Sequence, residues 1–386
     1  MSSTDESGVS STNIMHREDN LMPQIASMKN LELASEKARK GKKCRSAIRR
    51  FDKHHEENLL DLQNWFRTGT YQTSQYTTFT INDPKERTIM RLPFFPDRIA
   101  HHALMNVLEP IFVKRLIPQT FACIKGRGIH AGVKAIQRAL FNKKGTKYCL
   151  KLDVRHYYPS VNHEILKAKV AKIIKDPRVL VIINEIIDSA DGLPIGNYLS
   201  QYLANVYLND FDHWVKEVLH VKYYFRYVDD MVFLSDSKEE LWAIFKKVQE
   251  YLGVELKLEV KKNYQVFPVD ARGIDFLGYV FYHSHTKIRK RLKKNIQRKI
   301  TTFVAQGLSA KEIHKKLGSY QGWFNYAKCK HLIQTLNNKA HGYIFKSKTR
   351  KGRAVRQQKP VSPLQHYRST RFHCRGRARW CEVRVR

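Results

Sequence analysis

The strongest constraint on the fold is where this chain places three of its aspartates. Tyr148-Cys149-Leu150-Lys151-Leu152-Asp153-Val154 reads as a buried strand that carries an acid near its end. Tyr223-Tyr224-Phe225-Arg226-Tyr227 and Met231-Val232-Phe233-Leu234 read as two further strands flanking Val228-Asp229-Asp230, a hairpin with two acids at its tip. Helical patterns at about 162–174, 179–189, 197–208 and 237–252 separate these strands, and short strands near 255–260, 264–267 and 275–282 follow. Strands and helices alternate without a long parallel series. An α+β sheet of split βαβ type suits that order better than a doubly wound sheet.

The rest of the chain is read around this block. Residues 1–25, rich in Ser, Thr, Asn and Asp, are expected to be a disordered leader. Leu59, Leu62 and Phe66 share a helical face that Gly69 ends, and Tyr76–Ile81 with Thr88–Leu92 make a basic hairpin. Helices are expected at about 97–113 and 129–142. In Lys287–Ile300 the apolar residues Ile288, Leu292, Ile296 and Ile300 form one stripe on an otherwise basic helix. Ser309-Ala310-Lys311-Glu312 is a capping box. Residues 346–386 hold fourteen Lys or Arg against the single acid Glu382, and such a tail is expected to stay mobile until it meets an anion.

Charge narrows the partners. The sequence has 70 Lys plus Arg against 35 Asp plus Glu, a net charge of +35. A surplus of that size calls for a polyanion, nucleic acid or an acidic membrane surface. The longest aliphatic run, Val179–Ile183, is far shorter than the ~20 residues a membrane span needs, so a membrane partner is not expected. The first residues have neither a basic start nor an apolar stretch, and the six cysteines are scattered without a C-x-x-C pair. A cytoplasmic location follows as an expectation.

In so basic a chain, adjacent carboxylates between apolar strands are electrostatically odd unless cations bind there. Divalent magnesium suits hard oxygen ligands, with phosphate and water completing the shell. Two such ions, about 3.5–4 Å apart, are the arrangement that drives nucleotidyl transfer.

These residues carry a family resemblance. Tyr227-Val228-Asp229-Asp230 resembles the catalytic signature of reverse transcriptases, and Leu150–Val161 their first catalytic aspartate motif. Lys85–Pro93, Phe121–Gly128, Gly192–Gln201, Lys261-Lys262 and Phe276-Leu277-Gly278 are similar to the blocks that surround those two, in the family's order over about 85–280. The resemblance implies a right-hand polymerase: fingers over 26–145, palm over 146–282, a helical thumb over 283–345, and the basic tail.

It also implies roles. Asp153, Asp229 and Asp230 would be catalytic and would hold two Mg²⁺ ions, or Mn²⁺ in their place, with the Val154 carbonyl as a further oxygen. Tyr158, five residues after Asp153, would crowd out a 2′-hydroxyl and so favour dNTPs. Arg87 would grip the triphosphate bidentately, and Lys262 would neutralise or protonate pyrophosphate. Gly278 would let the backbone approach the primer end. Lys287, Arg289, Lys290 and Arg291 would hold the RNA–DNA duplex and template RNA by their phosphates.

The Ile195-Gly196-Asn197-x-x-Ser200-Gln201 form is similar to enzymes of diversity-generating retroelements, which miscopy template adenines, where intron-type enzymes usually carry Gln-Gly and Ser-Pro. That subfamily adds a basic accessory protein oligomer as partner. Two alternatives share the motifs: an antiviral-defence or group II intron-like reverse transcriptase, and a non-catalytic RNA-binding splicing helper on a polymerase fold.

Overall fold

A computed structural model describes residues 17–41, 46–82 and 86–346. Nine strands are found among them: β1 (Thr77–Asn82), β2 (Glu86–Arg91), β3 (Tyr148–Asp153), β4 (Tyr223–Tyr227), β5 (Asp230–Ser235), β6 (Gln265–Pro268), β7 (Ile274–Phe276), β8 (Tyr279–Phe281) and β9 (Thr286–Ile288). The central sheet has the order β4-β5-β3-β6 with every neighbouring pair antiparallel. With helices between β3 and β4 and between β5 and β6, this is the split βαβ arrangement expected from the sequence. β1 and β2 form a separate exposed hairpin, and β7-β8-β9 a small third sheet.

Strand alternation divides the central sheet into two faces. Leu150 and Leu152 of β3, Tyr224 of β4, and Met231 and Phe233 of β5 belong to one apolar core. That core includes the helices His163–Ala171, Tyr198–Tyr207, Asn209–Glu217 and Lys238–Val254. Cys149, Phe225, Val232, Leu234 and Phe267 look the other way, into a second core. There they meet Val133 and Ile136 of helix Ile129–Ala139, strands β7–β9, and the C-terminal helices. Ile296 and Ile300 of helix Lys290–Ala305, Ile313 and Leu317 of helix Ala310–Leu317, and Ile333 and Leu336 of helix Lys330–Lys339 fill it. Tyr320, Trp323, Phe324 and Tyr326 pack here as well.

Several expectations need correction. Residues 17–25 are not a disordered leader: Glu18 pairs with Ile174, and the Met22 N–H donates to Asp176 Oδ2 at 2.9 Å. Leu21, Met22 and Ile25 are buried; their apolar side chains outweigh the polar composition around them. Residues 1–16 and 347–386, and so all of the basic tail but Lys346, lie outside the described residues. The stripe helix begins at Lys290, because Lys287 and Ile288 belong to β9. The strand expected at 255–260 is reduced to one bridge, Val260 to Val154. The strand expected at 275–282 is broken into β7 and β8 by left-handed backbone at Leu277 (φ 53°) and Gly278 (φ 80°). The helix Asn209–Glu217 went unexpected.

Candidate active site

The site lies at one end of the central sheet. β3 ends on Asp153, which is the register partner of Asp230 at the start of β5. Between Tyr227 and Asp230, themselves paired, only Val228 and Asp229 turn the chain. Two-residue hairpins need positive φ at a central residue, a position glycine usually takes; here Val228 adopts φ 57°. The Asp229 carbonyl accepts from Val154 N at 3.3 Å, which draws the turn over the end of β3. The three carboxylates are therefore gathered on one edge.

A fourth strand-like segment borders them. Arg155 N donates to Glu259 O at 2.7 Å and Lys261 N to Asp153 O at 2.8 Å, on either side of the Val154–Val260 bridge. In that pairing the flanking residues exchange the bonds, so the Val154 carbonyl accepts none from this segment. Lys261 is delivered with it: its Nζ lies 2.7 Å from Asp153 Oδ2. Lys151, on the same face of β3 as Asp153, places Nζ 3.3 Å from Asp230 Oδ1. Lys262 is exposed. The structure thus brings Lys261, rather than the expected Lys262, to the carboxylates.

The electrostatics are strained. Burial, then the shared side-chain hydrogen bond and the charge of Asp153, push Asp229 up to about 7. Burial raises Asp230 to about 6, Lys151 opposing and Asp153 reinforcing the rise. Asp153 Oδ1 is buried and has no donor among the described residues unless Asp229 carries a proton. Two ammonium groups already stand where positive charge is wanted, and acceptor capacity is left over.

That donor set suits a hard divalent cation. Among the described residues, no group of three His, Cys, Asp or Glu forms a ready metal cage. An ion that brings its own phosphate and water ligands and takes few from protein fits such a half-built site. Asp153, Asp229, Asp230 and the Val154 carbonyl are the oxygens available to it.

The remaining expected residues are spread around this edge. Tyr158 is half-buried, its ring 5.7 Å from that of Tyr157. Burial pushes its phenol up, with the charges of Cys123 and Asp229 adding to the rise. Its carbonyl accepts from Leu193 N at 2.8 Å, and Gly192 (φ 62°) leaves room for Pro159 O, which a Cβ would meet at 2.6 Å. Ile195 is half-buried, and its carbonyl accepts from Met90 N at 2.9 Å, docking the loop on β2. Arg87 is exposed on the same strand, opposite Ile81.

Gly278 is used differently from expectation. A Cβ there would lie 2.5 Å from the Trp323 ring, so its missing side chain makes room for an aromatic of the C-terminal core. Arg289 pairs with Asp275, and its N–H donates to Gly278 O at 3.0 Å. The Lys287 ammonium lies 4.9 Å from the Tyr282 ring centre. Lys290 and Arg291 are exposed and line an open groove of about 690 Å³ with Lys294, Asn295 and Arg298. Its charged lining is wholly basic.

Two residues that sequence reading missed lie under the turn. Arg226 and Asp212, both fully buried, form an ion pair with Nη2 to Oδ2 at 2.5 Å. Strand alternation puts Arg226 with Tyr224 on the helix-covered face, and a lone charge on that face was the available signal.

Comparison with known proteins gives the chain a family. YkfC of Escherichia coli K12 is 23% identical over 260 residues, which is 55% of this chain and 66% of that protein. The group II intron-encoded protein LtrA of Lactococcus lactis is 22% identical over 180 residues, 43% of this chain and 30% of that protein. The chain thus spans less than two thirds of these curated relatives. A solved apo telomerase from Candida tropicalis aligns at TM-score 0.47 and 12% identity, over 69% of this chain and 60% of that one, too distant a likeness to carry residue roles. No helix of the described residues is long and apolar enough to cross a membrane. Residues 82–281, more than half of the chain, match the family described as "Reverse transcriptase (RNA-dependent DNA polymerase)", and the chain belongs to that family.

Proposed function

We propose that this protein is an RNA-directed DNA polymerase that copies a template RNA into cDNA by two-metal nucleotidyl transfer. The observation that carries the reading is Asp153 in register with Asp230, with Asp229 in the two-residue turn beside them and its carbonyl tied to Val154 N at the end of β3. Bound Mg²⁺, or Mn²⁺, would activate a 3′-hydroxyl and stabilise the departing pyrophosphate. This chain's own residues do the rest. Asp153, Asp229, Asp230 and the Val154 carbonyl hold the charge in place; Tyr158 crowds the sugar; Arg87 grips the triphosphate from its hairpin. Lys261 or Lys262 meets the pyrophosphate, and contact with Asp153 favours Lys261.

On this reading the palm is 146–282, the fingers are 26–145 and the thumb is 283–345. Lys287, Arg289, Lys290 and Arg291, with the groove that Lys290 and Arg291 line, hold duplex phosphates, and Gly278 shapes the palm–thumb junction. Affinity for an RNA–DNA duplex should then fall steeply with salt, and a flat response from low to high salt contradicts it.

The finer proposal is error-prone copying of a diversity-generating type, with dNTPs, a template RNA and a basic accessory protein as partners. Its support is Ile195, which replaces a hydrogen-bonding glutamine; losing one such contact is worth about 1–3 kcal/mol of discrimination. The intron-type reading is favoured instead by the likeness to LtrA, whose name makes it a group II intron-encoded protein.

Sequencing cDNA made from a defined RNA, with Asp229→Ala as control, tests both levels. Errors concentrated opposite template adenine, and reduced by Ile195→Gln, support the finer proposal. Evenly spread errors leave the intron-like reading. Absence of cDNA ends the polymerase reading.

A further inference from the structure

Beneath the catalytic turn, on the opposite face of the sheet, lies a polar cluster sealed from solvent. Asp212 of helix Asn209–Glu217 accepts from Thr120 Oγ1 at 3.1 Å, Tyr224 OH at 2.7 Å, Arg226 Nε at 2.8 Å and Arg226 Nη2 at 2.5 Å. The guanidinium has one arm left. Its Nη1 donates to Asn205 Oδ1 at 3.2 Å and to the Val228 carbonyl at 2.9 Å.

That last bond matters because of where it lands. The Val228 carbonyl belongs to the same peptide plane as the Asp229 N–H, so fixing it fixes how the chain enters Asp229. The Asp229 carbonyl is held from the other side by Val154 N. Both peptide planes around the central aspartate are therefore pinned. The pinning is needed: Val228 is β-branched at φ 57°, a conformation that persists only where the surroundings impose it. Arg226 is itself anchored, its N–H donating to Gln119 O and its carbonyl accepting from Phe121 N, both at 3.1 Å. A buried pair that merely joined β4 to a helix would not need the arm that reaches the turn.

We propose that Arg226 is a positioning residue for the reaction: through the Val228 carbonyl it holds the strained turn that presents Asp229 to the metal-binding edge. The inference rests on the polymerase reading above. Arg226→Lys keeps a positive charge for Asp212 but cannot fork to the turn as well. Thr120→Val is an isosteric control that removes a donor from Asp212 and leaves the turn bond in place. A second variant, Arg226→Met with Asp212→Leu, replaces the ion pair by apolar volume, a change buried pairs often tolerate.

The measurements are melting temperature, primer-extension kcat and KM for dNTP, and Mn²⁺ affinity by the EPR signal of the free ion. For Arg226→Lys and for the double variant, kcat should fall about 30-fold or more. KM should stay within about twofold and Mn²⁺ affinity should fall about tenfold. Thr120→Val should lose melting temperature while kcat and Mn²⁺ affinity stay within about twofold. Wild-type Mn²⁺ affinity and kcat in either folded Arg226 variant would overturn the proposal. So would losses that follow melting temperature equally in all three proteins. If the wild type extends no primer, the functional reading fails separately, and the Mn²⁺ measurement still decides the positioning role.

Discussion

One aspartate and a group of three lie on opposite sides of one sheet, and they are built in opposite ways. Asp212 is completely enclosed, yet every lone pair the geometry offers is matched by hydroxyl or guanidinium donors. Burial alone would lower the pKa of Arg226; the Asp212 charge outweighs it and moves that pKa up. Asp153, Asp229 and Asp230 are more open, yet two are pushed towards neutrality, and Asp153 and Asp230 each keep a buried oxygen without a hydrogen-bond donor among the described residues. A satisfied acid holds a structure together, whereas unsatisfied acids crowded at an edge are, on the proposed reading, the place for cations. On that reading the difference separates support from chemistry.

The comparison is most severely tested at its catalytic end. Asp153→Ala or Asp229→Ala should lower primer extension by about 10³-fold or more, as expected when transition-state charge loses its partner, with no loss of melting temperature. Unfolding of these variants would show that the edge is structural after all. Asp212→Ala makes the opposite case. Leaving the buried Arg226 charge unpaired should cost about 3–5 kcal/mol of stability, read by chemical denaturation. A loss under 1 kcal/mol would mean that water reaches the pair.

pH sharpens the contrast further. Asp229 and Asp230 have folded-state pKa values above the ordinary carboxylate range, so they bind protons more tightly folded than unfolded. The stability this contributes is full below about pH 4 and is lost as pH rises through 6 to 7. Without divalent metal, the protein should be about 2–3 kcal/mol more stable at pH 5.5 than at pH 7.5, from these groups. Asp229→Asn or added Mg²⁺ should shrink that difference, and melting curves at the two pH values check it. The smallest effect expected lies far from both clusters. Ser309 Oγ accepts from Glu312 N while the Glu312 carboxylate accepts from Ser309 N, and Ser309→Ala should cost about 1 kcal/mol by denaturation, with primer extension unchanged.

Much of this was legible in the residues. Tyr148–Asp153 and the hairpin around Asp229 and Asp230 declared themselves because apolar alternation is a local property. The capping box and the glycine that ends helix His55–Thr68 were legible for the same reason. Lys261 and Lys262 were not separable, since neighbouring lysines differ only in which side of the Val260 bridge they face. The buried start at Leu21, Met22 and Ile25 was hidden by its polar surroundings, because its partner Asp176 lies 154 residues away.

Local pattern thus set the strands, the helices and the kind of acid at each strand end, because backbone periodicity and turn chemistry act over a few residues. Only the folded chain decided which acids would be answered and which left wanting. Asp212 looks like any helix carboxylate until β4 brings Arg226 and Tyr224 against it. Asp153 and Asp229 are 76 positions apart until antiparallel pairing sets them on one edge. Whether a carboxylate meets donors or other carboxylates depends on long-range pairing, and that is a property of the tertiary structure alone.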